Sequence, residues 1–348
     1  MSHRERVLLA INHKKTDRTP ADFSAHKEVT DGLIGKLGVG DYEELLKALH
    51  VDMRRVSFDY SQPDSGPDAD GYRRNMWGVR WRESSIQDGK PNWISPFDEN
   101  TTVEDVHRHP WPDPNVLDYS GVTVECEKYH QEYATFGAPW SPFFHEAGWV
   151  IGQENLFIWM STKPDVVSAI IDRLVDYEIE ATRGYLEACR GMLDITYFGN
   201  DYGTQRGLFI SPQSWQKFIR QPQKRYFDIS REYGCKVMLH SCGGVRSIIP
   251  MLIEDGVDIL DPIQVAAKEM ELAGLVKDFG HRLAFHGGVD TQSILPFGIV
   301  ADVRSHVRSY INLTRDSGGY ILCGSQEYIE DIPLDNILAI YEENARNP

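Results

Sequence analysis

The chain has 348 residues, of which 41% are apolar and 25% are charged. This composition is typical of a folded globular protein, and the formal net charge of -16 argues against a surface that binds nucleic acid. No apolar run approaches the roughly 20 residues that span a bilayer, and no apolar secretory segment follows the first residues. The five cysteines are an odd number in a chain without an export signal, so we expect reduced thiols and a cytoplasmic location.

The first half of the sequence has one clear helix and an irregular segment. Ser2 and Glu5 have the spacing of a capping box, and apolar residues follow with helical spacing as far as Ile11. Residues 68–97 are rich in Trp, Arg and Gly, and they predict a β-hairpin or an extended lid inserted in the first half. The proline-rich run 110–114 predicts a rigid surface connector, because proline lacks the backbone donor that a helix or central strand needs.

From residue 165 onward, predicted helices alternate with short apolar strands. A long amphipathic helix begins at Asp165 and ends before Gly191. Ser211 and Pro212 begin another, since serine caps well and proline is tolerated in the first turn. Further helices are predicted at 245–254, 303–314 and 334–345, and strands at 195–198, 236–239, 257–260, 283–285 and 320–323.

This alternation predicts parallel strands joined by right-handed crossovers. A sheet that binds dinucleotides would carry a GxGxxG turn after a strand, and the sequence has none. Polar residues follow the predicted strands, and in a (β/α)8 barrel that face carries the active site. We therefore predict one (β/α)8-barrel domain over residues 1–348.

A His-x-Cys pair gives the sharpest chemical signal. His240 and Cys242 follow a predicted strand, and residues two apart in an extended segment point the same way. Zinc accepts such nitrogen and sulfur ligands. Cys323 ends the last predicted strand and could supply a third ligand, because strand ends in a barrel face a common mouth. The alternative is that each cysteine is a small buried apolar residue and that His240 is a hydrogen-bonded polar group.

Carboxylate and amide side chains also follow the strands. Asp201 and Asp290 could act in acid–base chemistry or hold a substrate, and Gln264 suits recognition of a polar ligand. Asp261 precedes a proline and could equally form a turn. His286 could be a ligand, although packing in the interior is the simpler interpretation. The glycine pairs at 243–244 and 287–288 fit tight turns or the close approach of a bulky ligand.

Several segments together resemble the uroporphyrinogen decarboxylase superfamily. They are 4–7 (RERV), 17–20 (DRTP), 201–205 (DYGTQ), 210–212 (ISP), 240–244 (HSCGG), 256–264 (GVDILDPIQ), 287–290 (GGVD) and 331–337 (DIPLDNI). The similarity covers both ends and most of the second half, and it is weak between residues 61 and 140. The resemblance implies a (β/α)8 barrel that is often a homodimer.

The superfamily contains two main chemistries. The decarboxylases bind a porphyrinogen with many carboxylates through an arginine-rich segment after the first strand. Here the corresponding residues 21–28 (ADFSAHKE) contain no arginine, which leaves such an anion poorly neutralised. The other branch comprises cobalamin-dependent methyltransferases, in which a His-x-Cys pair and a distal Cys hold zinc. This chain resembles the second branch more closely.

The resemblance implies that His240 and Cys242 are zinc ligands. Counted back from the DIPLDNI segment, the distal ligand position of the family falls on Gln326 and not on Cys323. Either a local shift brings Cys323 to the metal, or a different residue such as Glu327 is the third ligand. We take Cys323 as the predicted third ligand.

The resulting prediction is a zinc-dependent methyltransferase. It would move a methyl group between a small molecule and a corrinoid, the latter carried by a partner protein. Asp201 is the predicted catalytic residue, and Tyr202, Gln264, Asp290 and Gln326 are predicted to bind substrate. The alternatives are metal-free decarboxylation of a porphyrinogen or related acid, and a non-catalytic module that binds a corrinoid or porphyrin.

Overall fold

The structure is a computed structural model that describes residues 1–58, 66–83 and 91–347. Its first helix, α1 (His3–Ile11), begins as expected, with the hydroxyl of Ser2 accepting a hydrogen bond from the backbone N–H of Glu5. The other elements of the first half are α2 (Lys27–Leu37), α3 (Tyr42–Ala48), β1 (Met53–Arg55), β2 (Arg73–Arg74), β3 (Arg80–Trp81), β4 (Trp93–Ile94), α4 (Val103–Arg108), a 3-10 turn (Pro114–Val116), α5 (Ser120–Tyr129), β5 (Ala134–Gly137), α6 (Phe143–Ile151) and α7 (Gln153–Thr162).

The second half alternates strands and helices as predicted. Its elements are α8 (Pro164–Cys189), β6 (Ile195–Gly199), β7 (Gly203–Thr204), β8 (Gly207–Leu208), α9 (Pro212–Trp215), a π turn (Gln216–Arg220), α10 (Gln221–Glu232), β9 (Lys236–His240), a 3-10 turn (Arg246–Ile248), α11 (Ile249–Asp255), β10 (Ile259–Asp261), α12 (Leu272–Phe279), β11 (Ala284–Val289), α13 (Ile294–Phe297), α14 (Val300–Thr314), β12 (Tyr320–Gly324) and α15 (Leu334–Arg346). Among the described residues, no helix has the length and apolar content needed to cross a membrane.

Seven parallel strands form the barrel sheet, in the order β1-β5-β6-β9-β10-β11-β12. An extended segment around Ala21 fills the eighth position. The backbone of Ala21 bridges Leu322 of β12, and its carbonyl accepts a hydrogen bond from the N–H of Asp52, next to β1. The two edges of the sheet are thereby joined, which confirms the predicted (β/α)8 barrel.

The lower interior of the barrel is apolar. Each strand contributes inward side chains to one buried cluster, among them Met53, Met238 and Ile321, and α1 adds Val7 and Ile11. Helix α1 therefore closes the end of the barrel where the strands begin. The opposite end, where the strands finish, stays open.

The segment inserted after β1 is a small antiparallel sheet of β2, β3 and β4. Its Trp77 is buried and makes an edge contact with Tyr177 of α8. The insertion thus packs on the outer helices. Its antiparallel strands agree with the hairpin alternative, with one strand more than a hairpin has. None of its described residues lines the cavity considered below.

Two strands extend beyond their predicted ends. Strand β10 ends at Asp261, which we had considered a possible turn former, so this side chain belongs to the sheet. Strand β11 continues through the predicted turn at Gly287 and Gly288 as far as Val289. Both glycines have positive φ values, of 91° and 92°, so glycine here lets a distorted strand continue and keeps His286 within it.

Candidate active site

A cavity of about 790 Å³ opens at the carboxyl ends of the barrel strands. Its wall contains the strand-end residues Arg55, His240, Asp261 and Gly324. A cavity at this face is where barrel enzymes place their chemistry, because the loops that follow all strands meet there. A volume of this size suits a small-molecule ligand.

Three side chains with metal-binding atoms converge in this cavity. Asp201, His240 and Cys242 each offer one ligand atom, and these atoms lie within 4.8 Å of one another. The Nε2 atom of His240 is 3.3 Å from Sγ of Cys242 and 3.4 Å from Oδ1 of Asp201. The loop after β6 supplies the aspartate, and β9 with its following loop supplies the other two. A nitrogen, a sulfur and an oxygen donor form a set that fits zinc.

Alternating carboxylate and imidazole groups form a chain of hydrogen bonds on the Nδ1 side of the His240 ring. Its Nδ1 atom lies 2.8 Å from Oδ2 of Asp261, which also accepts a hydrogen bond of 2.7 Å from the hydroxyl of Tyr197. The other oxygen of Asp261 lies 2.5 Å from Nδ1 of His286, and Nε2 of His286 lies 3.2 Å from Oδ2 of Asp22. A histidine that donates one ring N–H to a carboxylate presents its other nitrogen to a metal in a fixed direction.

These contacts shift the protonation of the buried groups. Burial opposes charge on each of them, but the facing carboxylates outweigh it and raise the pKa of His240 well above its ordinary value and that of His286 to about 10. Burial would raise the pKa of Asp201, yet hydrogen bonds from His240 and from the N–H of Cys242 lower it to about 2. Asp201 is therefore a carboxylate at neutral pH and a weak proton acceptor. This charge state suits a metal ligand better than a general base.

Two glycines bring the loops that carry Asp201 and Cys242 together. A Cβ atom on Gly243 would lie 2.4 Å from the carbonyl carbon of Gly203, and Gly243 has a φ of 83°. This close approach lets the N–H of Cys242 donate a 2.7 Å hydrogen bond to Oδ1 of Asp201. The amide oxygen of Gln264 accepts a hydrogen bond of 2.7 Å from the N–H of Gly243 and holds the turn in place.

Cys323 lies in the same cavity but outside the three-residue cluster. It pairs with Gly288 in the sheet, and burial, together with nearby Asp22 and Asp261, raises the pKa of its thiol well above the ordinary value. Gln326 instead reaches the cluster, since its Nε2 donates a 3.1 Å hydrogen bond to Sγ of Cys242. The position that sequence counting gave to the distal ligand is thus next to Cys242.

Three residues predicted to bind substrate are absent from the cavity wall. Tyr202 is fully buried and packs edge-on against Trp215. Gln264 holds the turn at Gly243, and Asp290 accepts hydrogen bonds from two backbone N–H groups of the loop that follows it. Each of the three shapes a loop around the cavity. Of the predicted substrate-binding residues, Gln326 alone lines the cavity described here.

Sequence reasoning missed most of the network behind His240. Asp22 and Tyr197 were not singled out, Asp261 was left open between a functional carboxylate and a turn former, and His286 was interpreted as packed in preference to a ligand. The signal that could have found Tyr197 and His286 is strand alternation, because each lies on the inward face of a strand that ends at the cavity. Trp140 also lines the cavity, and its ring centre lies 5.2 Å from that of His240.

A family model described as uroporphyrinogen decarboxylase matches residues 87–346 of this chain. The chain belongs to the uroporphyrinogen decarboxylase family. The resemblance that the sequence motifs predicted is therefore confirmed.

Two known methyltransferases are similar to this chain. A methylated-thiol--coenzyme M methyltransferase of Methanosarcina mazei is 26% identical over 198 residues, which are 56% of this chain and 49% of that protein. The chain therefore matches about half the length of this relative. The solved structure of a methyltransferase from Methanosarcina mazei has a TM-score of 0.66 and 16% identity, over 99% of both chains. At that identity the second likeness shows a shared fold.

Proposed function

We propose that this protein is a zinc-dependent methyltransferase that moves a methyl group between a corrinoid, carried by a partner protein, and a small thiol. The observation that carries the proposal is the convergence of Asp201, His240 and Cys242 in the cavity, with Asp261 behind His240. The names of the two similar proteins support methyl transfer, and the name of the first points to thiols as the small molecules.

The donor atoms present fit a catalytic zinc site. Nε2 of His240, Sγ of Cys242 and Oδ1 of Asp201 would hold the ion, and the fourth position would remain open to substrate. When bound, zinc supplies the Lewis acidity that keeps a substrate thiol deprotonated near neutral pH. We assign Asp201 to this ligand set, since its low pKa makes it a poor base.

The neighbouring residues would then hold the ligands in place. Asp261 keeps the ring of His240 oriented, and the amide of Gln326 donates to the sulfur of Cys242. The ring of Trp140 lies beside that of His240, with 5.2 Å between the two ring centres.

The reaction balances as a displacement at carbon. In the direction of thiol methylation, the thiol proton passes to solvent and the sulfur forms a bond to the methyl carbon. The methylated corrinoid, as the co-substrate, would lose the methyl group in this step, and the electron pair of the broken carbon–cobalt bond would stay with the corrinoid. Cavity residues need only hold the sulfur and exclude water, because the corrinoid carries the methyl group and accepts the electrons.

Decarboxylation of a porphyrinogen has less support from the cavity. The described part of the wall contains two arginines, Arg54 and Arg55, and six carboxylate residues. Both carboxylate oxygens of Glu43 already bind the guanidinium of Arg54, at 2.8 and 3.0 Å. A substrate with many carboxylates would therefore meet a wall with little free positive charge.

The test is a methyl-transfer assay with the purified full chain loaded with zinc. Methylcobalamin serves as donor and 2-mercaptoethanesulfonate as acceptor, and the loss of methylcobalamin absorbance is followed together with the methylated thiol by mass spectrometry. His240→Ala and Cys242→Ala should abolish transfer while the circular dichroism spectrum is retained. Cys235→Ala is the matched control, because this buried thiol lies just before β9 and does not line the cavity. Absence of transfer by the zinc-loaded wild type would contradict the proposal.

A further inference from the structure

Arg55 is a charged residue of the cavity wall. The proposed metal site does not explain its function. It ends strand β1, its side chain is exposed, and it lines the cavity. Its guanidinium lies 5.7 Å from the ring centre of Tyr197, and the hydroxyl of Tyr197 lies 3.2 Å from Nδ1 of His240. No carboxylate among the described residues forms an ion pair or hydrogen bond with it.

The carboxylates of the same wall are all engaged by other groups. Asp22 and Asp261 face His286, and Asp201 accepts from the N–H of Cys242. Glu43 binds Arg54 through two hydrogen bonds. Glu125 accepts from the N–H of Ser57, and Glu327 accepts from the hydroxyl of Ser24. Within the described part of the wall, Arg55 is thus the cation that remains available to a ligand.

We propose that Arg55 binds an anionic group of the small-molecule substrate, so that the thiol is one that carries a carboxylate, sulfonate or phosphate. This inference rests on the proposed function and names its substrate class. A guanidinium presents a planar set of donors that matches two oxygens of such an anion at once. A neighbouring aromatic face also restrains the position of the guanidinium.

The geometry bears on the length of this substrate. The ring centre of Tyr197 lies 5.7 Å from the guanidinium carbon of Arg55 and 6.2 Å from the ring centre of His240. The guanidinium carbon of Arg55 and the ring centre of His240 are therefore separated by no more than the sum of these two distances. A ligand that contacts both residues therefore needs only a short carbon chain between its sulfur and its anion, which makes short anionic thiols the probes of choice.

The test compares thiols of similar size and different charge. Cobalt(II) replaces zinc in the purified full chain, and binding is followed by the sulfur-to-cobalt absorption band without any methyl donor. The probes are 2-mercaptoethanesulfonate and 3-mercaptopropionate as anions, 2-mercaptoethanol as the neutral thiol, and 2-mercaptoethylamine as the cation. The wild type should bind both anions at least about tenfold more tightly than the neutral thiol, a ratio typical of one charged hydrogen-bonded contact.

Variants then assign this preference to one side chain. Arg55→Gln should reduce the ratio of anionic to neutral affinity to within about threefold, and Arg55→Lys should give an intermediate ratio because the point charge remains without the planar donor set. Arg282→Gln is the matched control, since this exposed arginine precedes β11 at the opposite end of the barrel. Circular dichroism verifies that each variant is folded.

The outcomes separate this inference from the proposed function. A wild type that binds the neutral thiol as tightly as the anions, or binds no thiol, would overturn the inference, and so would an Arg55→Gln protein that keeps the full preference. Charge-selective binding without methyl transfer would leave the inference standing and overturn the proposed function. Methyl transfer with equal kcat/KM for charged and neutral thiols would support the proposed function and overturn the inference about Arg55.

Discussion

The Nδ1 atom of His240 lies 2.8 Å from Oδ2 of Asp261. This contact determines which nitrogen of the imidazole is available, because the ring can then offer Nε2 alone to the cluster with Cys242. The contact joins the ends of two neighbouring strands, β9 and β10, whose backbones also pair at these two residues. The orientation of the proposed metal ligand is thus built into the sheet.

We expect Asp261→Asn to weaken zinc binding about 10- to 100-fold, the range found when a carboxylate behind a metal-binding histidine is lost. The amide keeps the shape of the side chain but removes the charge that orients and polarises the ring. Competition titration with a chromophoric chelator measures the affinity. Asp258→Asn is the control, because Asp258 lies just before the same strand and binds Lys236 instead. Equal zinc affinity of the Asp261 variant and the wild type would count against the proposed role.

Cys323→Ser should retain near-stoichiometric zinc, with an affinity within a few-fold of wild type. Its thiol lies outside the ligand cluster, and burial with two nearby carboxylates disfavours the thiolate that zinc requires. Metal analysis after dialysis against a weak chelator measures the content. Asp201→Asn, measured in parallel, should lose zinc. If Cys323→Ser loses zinc and Asp201→Asn keeps it, Cys323 is the third ligand after all.

Gly243→Ala should disrupt the metal site more than the strain of an alanine at positive φ alone would explain. The new Cβ would meet the backbone of Gly203 at 2.4 Å, so the two loops must separate and Cys242 moves from Asp201. Gly234→Ala is the matched control, with a φ of 77° and no atom within 4 Å. Both should lose about 1–2 kcal/mol of stability from backbone strain. We expect the Gly243 variant alone to lose zinc, which metal analysis of the two folded proteins would show.

Glu146 should make the folded state less stable as the pH rises. Burial raises its pKa to about 7, although a hydrogen bond from Trp77 opposes the shift. The native state then holds an extra proton between the ordinary value of 4.5 and about 7, so stability falls across that window and the penalty is complete above it. Glu146→Gln should therefore be more stable than wild type at pH 8, by up to about 3 kcal/mol, and nearly equal at pH 5.

Urea unfolding at the two pH values measures this difference. Glu154→Gln on the next helix is the control, since Glu154 is exposed. A Glu146 variant that shows the same stability relative to wild type at both pH values would contradict the prediction.

The barrel was largely predictable because its later strands are apolar runs separated by clear helix signals. Strands β1 and β5 were not predicted. They have only three and four residues, and the arginines of β1 and the glycine of β5 interrupt the apolar pattern that marks a buried strand. The eighth position is filled by an extended segment that pairs through isolated bridges, and no local sequence feature marks it.

The candidate site was predictable where ligands lie close together in sequence. His240 and Cys242 are two residues apart, so strand geometry alone places them together. Asp22, Asp261 and His286 come from three distant segments, and only closure of the barrel brings them into contact. The close pairing of Gly203 with Gly243 depends likewise on two loops whose distance no local pattern reports. Tyr202 was misjudged because its position beside Asp201 says nothing of the direction of its side chain.

The most direct test of the account is zinc X-ray absorption spectroscopy on the wild-type chain, with and without 2-mercaptoethanesulfonate. We predict a resting site with one sulfur at about 2.3 Å, from Cys242, and otherwise nitrogen and oxygen ligands. Addition of the thiol should raise the count to two sulfurs. A chain that binds no zinc, or a shell that contains no sulfur or does not change when the thiol is added, would contradict the proposed metal site and the function built on it.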